Sequence, residues 1–212
     1  MIVIFEGPDG AGKSTMIQAV AGQHIMHHRD VPIEIVEESI SFWSRGPFPQ
    51  DSDPWTEYVS PTSSMNIGPD SLVLIDRWHL GELVYGPIFR GQSRLSMEQR
   101  VWIEGYMKTL GAVMVHLTAS LEELTRRLAE RGDDMVTPEH LPAILSLYDR
   151  LTADGHQPRI YCRTYDTTNQ RVEPTAAAIY QLARTEQAIA LAAARHPSAD
   201  PRPYWERIPW PT

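Results

Sequence analysis

One nine-residue stretch, Gly7-Pro8-Asp9-Gly10-Ala11-Gly12-Lys13-Ser14-Thr15, constrains this chain more than any other feature. It fits the pattern G-x-x-x-x-G-K-[ST], follows the apolar run Met1-Ile2-Val3-Ile4-Phe5 and precedes a helical pattern of Met16, Ile17, Ala19 and Val20. That strand–loop–helix context gives the pattern its mechanism. Glycines let the backbone wrap tightly, so that successive N–H groups face phosphate oxygens, and the following helix adds its positive end. Lys13 is placed to reach the β- and γ-phosphates, and Ser14 to ligate Mg²⁺. The stretch therefore predicts a nucleoside triphosphate site built from Gly7, Asp9, Gly10, Ala11, Gly12, Lys13, Ser14 and Thr15. Of the 19 basic residues only Lys13 and Lys108 are lysine. A chain that otherwise uses arginine keeps lysine where a compact ammonium is wanted.

Strand-like and helical segments alternate, which predicts an α/β fold with a five-stranded parallel sheet flanked by helices on both faces. The strands fall at 1–6, 32–37, 72–76, 112–118 and 159–164. The helices fall at 13–23, 79–86, 97–109, 120–131, 138–151 and 173–195. A proline-rich loop is expected over 44–70, with a short helix near Trp55 to Tyr58. The chain of 212 residues suits one domain, here 1–196, followed by an arm over 197–212 that carries five prolines with Trp205 and Trp210.

A net charge of −8 argues against a surface that coats nucleic acid. The single cysteine, Cys162, excludes an internal disulfide and fits a reducing compartment. With no secretory pattern and no run long enough to span a bilayer, the expected location is cytoplasmic. His24, His27 and His28 suit the end of the first helix, because no matching ligand motif accompanies them.

In an open parallel sheet, ligands sit beyond the carboxyl ends of the strands. Leu72-Val73-Leu74-Ile75 ends in Asp76, a carboxylate placed to face Mg²⁺ or to cap the next helix. Arg77 follows, suited to clamp a phosphate or to form an ion pair. Trp43, Trp55, Tyr58 and Trp78 are candidate base-stacking rings, with Trp43 and Trp55 flanking the irregular segment.

Several of these segments, spread over residues 1–170, resemble the thymidylate kinases. Phe5 through Thr15 is similar to that family's F-E-G-x-D-G-A-G-K-S/T-T, and Asp76-Arg77-x-x-Leu80 with Tyr85 to its D-R-x-x-L…Y. Leu117 through Arg127, with Arg131-Gly132, resembles the segment entering its lid, and Tyr165-Asp166-Thr167-Thr168 its I-D-A-S turn. The resemblance implies a P-loop kinase fold with a lid near 127–137, the cofactors ATP and Mg²⁺, and commonly a homodimer. It implies that Asp9 bonds the acceptor's 3′-hydroxyl, Arg77 holds the acceptor phosphate and Tyr85 packs beside the sugar. Arg127 and Arg131 would approach the transferring phosphoryl group, and Thr167 and Thr168 would sit near adenine. No arginine lies within this P-loop, so the lid is the natural source of charge stabilisation.

The departures bear on the acceptor. The family's R-E-P-G-G-T is absent. In its place Glu37-Glu38-Ser39-Ile40-Ser41-Phe42-Trp43 partly resembles the E-P-V-x-x-W segment of deoxynucleoside kinases, where the Glu is a general base and the Trp helps form the base pocket. Glu82 stands where thymidylate kinases often carry a thymine-reading Asn or Thr, and a carboxylate repels the thymine O4 acceptor. Two acceptors follow. One is a deoxynucleoside monophosphate, dTMP-like or a modified pyrimidine. The other is a hydroxyl, on a deoxynucleoside or on a hydroxymethylated base in DNA, with Glu38 as base and Arg45, Arg90 and Arg94 lining a local groove. A guanine-nucleotide switch is disfavoured, because no N-K-x-D segment occurs.

Overall fold

The computed structural model describes residues 1–29, 31–37, 58, 70–132, 136–153 and 159–195. Its five strands are β1 (Ile2–Glu6), β2 (Ile33–Glu37), β3 (Leu72–Asp76), β4 (Ala112–Thr118) and β5 (Tyr161–Asp166). They form one sheet in the order β2-β3-β1-β4-β5, with every pairing parallel. The α-helices are α1 (Lys13–His27), α2 (His79–Arg90), α3 (Met97–Thr109), α4 (Leu121–Arg131), α5 (Leu141–Thr152) and α6 (Val172–Arg195), with a 3₁₀ turn at Pro138–His140 before α5.

Strands β1, β3 and β4 are buried almost throughout. A strand covered on both faces reads as a continuous apolar run rather than an alternation, and these three runs are the ones the sequence predicts at nearly the same residues. Helices α1 and α6 pack together, α6 against β4, α2 against α5, and α3 against β4. Local chemistry sets the helix ends. Ser96 and Gln99 form a reciprocal capping box at the start of α3, and the Ser120 hydroxyl accepts from the Glu123 N–H at the start of α4; both satisfy N–H groups that a helix leaves unpaired.

Boundaries shift in several places, among them α2, which runs on past Pro87 to Arg90. Helix α1 runs on to His27, held there by His24 and His27, which pack on Tyr180 of α6. Residues 138–151 split into the 3₁₀ turn and α5, because Pro142 stands in the first turn of α5 and cannot donate to a continuous ladder. Strand β5 begins at Tyr161 rather than 159, since the Arg159 N–H is taken by Glu104 Oε2 at 2.7 Å instead of a strand neighbour. The short helix expected near Trp55 and the arm at 197–212 lie outside the described residues, apart from Tyr58. No helix among the described residues is long and apolar enough to cross a membrane.

The chain leaves β1 for β2, then crosses back from β3 over β1 to β4. The reversal falls at β1, and the carboxyl end of β1 carries the glycine-rich loop. In sheets of this kind that is where ligands bind.

Candidate active site

The loop from Gly7 to Gly12 turns on three glycines with positive φ: Gly7 at 139°, Gly10 at 80° and Gly12 at 84°. Gly7 is required twice over. A Cβ there would lie 2.0 Å from the Leu117 carbonyl oxygen, well inside contact distance. The loop closes on itself through Ala11 N–H to Pro8 O at 3.3 Å and opens into α1 with Met16 N–H on Gly12 O at 3.0 Å. No acidic residue stands in the first turn of α1, so its positive end is left to an anion. Lys13 is buried at this end, its ammonium donating to Gly7 O (3.0 Å) and Pro8 O (2.9 Å). Burial, aided by the Arg77 charge, lowers its pKa to about 8, while Asp9, Asp76 and Glu6 oppose the shift. The cradle thus fits a polyphosphate.

Ser14 Oγ lies 3.4 Å from Asp76 Oδ2. A hydroxyl and one carboxylate side by side suit Mg²⁺, which keeps water and substrate phosphate among its ligands rather than demanding a full protein cage. Among the described residues there is no group of three or more His, Cys, Asp or Glu that could hold a metal.

Across the loop, Asp9 joins two predicted acceptor residues. Its Oδ1 takes the Arg77 guanidinium at 2.5 Å and its Oδ2 accepts from the Tyr85 hydroxyl at 2.8 Å. The Arg77 guanidinium lies over the Tyr85 ring, 4.9 Å from its centroid. Burial opposes ionisation of Asp9, but Arg77, Lys13 and the Tyr85 bond outweigh it and bring its pKa down to about 2. Arg77 itself sits at φ 67°, the one non-glycine residue with positive φ among those described.

Glu82 is buried on α2, where Oε1 pairs with the Arg90 guanidinium and accepts from the Arg94 N–H at 2.8 Å. Gly86 leaves room for that pair: a Cβ on it would lie 2.9 Å from both charged groups. The structure therefore gives Glu82 a protein cation, Arg90, as partner.

On the opposite side of the loop, Arg127 is held by protein groups. Its Nε donates to Glu123 (2.7 Å), Nη1 to Gly10 O (2.9 Å) and Thr167 Oγ1 (3.1 Å), and Nη2 to Thr167 O (2.9 Å). These bonds turn the guanidinium inward as a brace between the loop and the turn after β5. Thr167 Oγ1 also reaches Ala11 O at 3.1 Å, and Thr168 Oγ1 accepts the Ser120 N–H at 2.8 Å. Arg131, one turn on, is exposed at the end of α4. Thr15 is exposed beside Ser14. Trp78 is buried against Tyr58, ring centroids 5.7 Å apart, as part of the core. Glu38, Trp43 and Trp55 lie outside the described residues.

Sequence reasoning missed Glu6. Its Oε1 accepts from the N–H groups of Trp78 (2.9 Å), Leu80 (3.1 Å) and Gly81 (3.3 Å), and its Oε2 from the Tyr148 hydroxyl (3.1 Å). Helix α2 has no side-chain cap from its own N-cap, Trp78; Glu6 does that work from another strand. The available signal was an acid ending a wholly apolar strand, since a buried carboxylate must find donors. His116, paired with Glu6 in the sheet register, stacks on Tyr148 with centroids 5.1 Å apart.

No protein-family model matches the chain, and no curated protein matches it in sequence. Solved structures do. The YorR protein of Bacillus subtilis, solved with phosphorylated GDP, is 22% identical with a TM-score of 0.63, over 93% of this chain and 99% of that one. The fold is that of the P-loop kinases. A thymidylate kinase from Candida albicans is 15% identical with a TM-score of 0.55, over 88% of this chain and 92% of that one. At these identities the likeness carries the P-loop kinase architecture and leaves the acceptor to the site's own chemistry.

Proposed function

We propose that this P-loop kinase chain transfers the γ-phosphoryl group of ATP, with Mg²⁺, to the phosphate of a deoxynucleoside monophosphate, dTMP-like or a modified pyrimidine. The observation that carries the reading is Asp9 bridging Arg77 and Tyr85 at the mouth of the glycine-rich loop. Arg77 offers a fork of donors suited to an acceptor phosphate. Tyr85, buried behind it, fixes the Asp9 carboxylate beside that fork. A phosphate acceptor is already a nucleophile, so the protein's work is positioning and charge neutralisation, and no strong base is needed. Lys13 and the start of α1 hold the donor phosphates. Ser14 and Asp76 hold Mg²⁺, which when bound neutralises charge on the phosphate oxygens. Arg127 acts as a positioning residue that fixes the loop, and Arg131 is the exposed arginine left for the transferring group.

Two of the structural neighbours direct the choice of acceptors, one being a thymidylate kinase and the other solved with phosphorylated GDP. The test is ATP consumption with Mg²⁺ against all the deoxynucleoside monophosphates, hydroxymethylated pyrimidine monophosphates, the matching nucleosides, and DNA bearing those bases. Turnover of a monophosphate supports the proposal. Turnover of nucleosides or DNA alone overturns it and moves the chemistry to a hydroxyl acceptor with Glu38 as base. We also propose a homodimer and a cytoplasmic location, which sedimentation and fractionation would check.

A further inference from the structure

We infer that Glu6 is a positioning residue for Arg77: its carboxylate, fixed at the end of β1, holds the start of α2 so that the Arg77 guanidinium reaches Asp9. The peptide groups on both sides of Arg77 are held by β1. The Arg77 N–H donates to Phe5 O at 2.8 Å, and the Trp78 N–H donates to Glu6 Oε1 at 2.9 Å. Between them Arg77 sits at φ 67°, a conformation an L-residue with a long side chain rarely keeps unless its surroundings over-determine it. The surroundings here are the two further N–H groups on Glu6 Oε1, from Leu80 and Gly81.

Two features make this a device for the site rather than an ordinary cap. Glu6 directly precedes Gly7, so the strand end that shapes the donor loop also fixes the arginine opposite. Its other oxygen is held by Tyr148 of α5, a helix that follows the predicted lid segment. Loop, arginine and lid-side helix therefore meet on one buried carboxylate, which is fully buried itself.

The role of Arg77 toward an acceptor phosphate rests on the function proposed above, so the test reads Arg77 with and without substrate. Glu6→Gln is isosteric and keeps a carbonyl toward the three N–H groups but loses the charge that strengthens those bonds. Glu6→Ala removes the acceptor altogether, and either variant that folds serves. Without substrate, the ¹³C carboxyl signal of Asp9 is titrated. In the wild-type protein it stays ionised down to about 2 because Arg77 and Lys13 face it. In the variant its pKa is expected to rise toward the ordinary 3.8 as Arg77 withdraws. Loss of the negative Glu6 would by itself move Asp9 the other way, so a rise reports Arg77. With substrate, monophosphate affinity is expected to fall about fivefold or more, with ATP affinity within about twofold.

An unchanged Asp9 titration in a folded variant overturns the inference. So does an equal loss of monophosphate and ATP affinity. A risen Asp9 pKa in a protein whose wild type binds no monophosphate upholds the positioning and refutes the acceptor reading instead.

Discussion

Asp9 and Arg77 come from loops 68 residues apart in sequence, yet Oδ1 and Nη2 lie 2.5 Å apart, with both side chains largely shielded from solvent. Neither is placed by its own strand alone. The loop glycines turn Asp9 across the mouth, and the strained φ of Arg77 turns the guanidinium back. The pair is therefore sensitive to the charge of either member.

Asp9→Asn keeps the shape and removes the charge. It is expected to lower kcat/KM for the monophosphate about ten- to a hundredfold, the scale of one charge-assisted bond. The same substitution changes acid stability. Because the folded carboxyl ionises near 2 rather than 3.8, its contribution is complete above about 3.8 and is lost as pH falls toward 2. Near neutrality that contribution is about 2 kcal/mol. Urea unfolding at pH 6 and at pH 3 should show a larger wild-type advantage at pH 6, and a constant difference would contradict the pairing.

Gly7→Ala should destroy triphosphate binding before any chemistry is measured. The added methyl meets the Leu117 carbonyl oxygen at 2.0 Å, and that oxygen is backbone of a fully buried strand residue. A cost of several kcal/mol is expected from overpacking and the strained backbone together. Thermal melting and ATP titration of the variant would check this, and a near-native melting point with native ATP affinity would refute the loop geometry.

The contrast between what the sequence disclosed and what it hid follows from burial. Strands β1, β3 and β4 are covered on both faces, so their apolar runs needed no partner to be recognised. The loop was legible because Gly7, Gly10 and Gly12 answer backbone demands that no other residue meets. The partners of Arg127 were not legible, because its spacing from Arg131 shows a shared helix face but not that Gly10 O and Thr167 accept from one guanidinium. Glu82 was read from its place in the family resemblance and its charge, neither of which shows its partner Arg90 two turns away across Gly86. Glu6 stood in plain view directly before the motif, yet three of its donors are main-chain N–H groups seventy-odd residues on, which no side-chain pattern records, and the fourth is the Tyr148 hydroxyl further still.

His116 is expected to make the protein acid-sensitive in its own pH window. It is buried on β4, and burial, with the Lys13 charge, lowers its pKa from 6.5 to about 4. The unfolded chain then takes up a proton below 6.5 that the folded protein refuses until about 4. Stability should fall as pH drops from 6.5 to 4, by roughly 3 kcal/mol in all, and His116 should add no further loss below that. His116→Gln removes the ionisation. Melting temperatures of both proteins across pH 7 to 4 should converge as the wild type loses ground, and parallel curves would show that His116 does not titrate as its burial demands.

Arg127 and Arg131 stand one turn apart on α4 and should fail in different ways. Arg127→Met removes the donors that tie Gly10 O and Thr167 together while keeping an apolar stem of similar length. The Gly10 and Thr167 carbonyls lose a charged donor, so the loop loosens. A fall in melting temperature is expected, along with a rise in the ATP KM of about tenfold, on the scale of one charge-assisted hydrogen bond. Arg131→Ala touches an exposed side chain and should leave stability within about 0.5 kcal/mol. Its effect should fall on kcat instead, by about ten- to a hundredfold if its charge is used at the transferring group. Steady-state kinetics and melting curves for the two variants decide the matter. A stability loss on removing Arg131, or an undisturbed ATP KM on removing Arg127, would reverse the division of labour that these contacts imply.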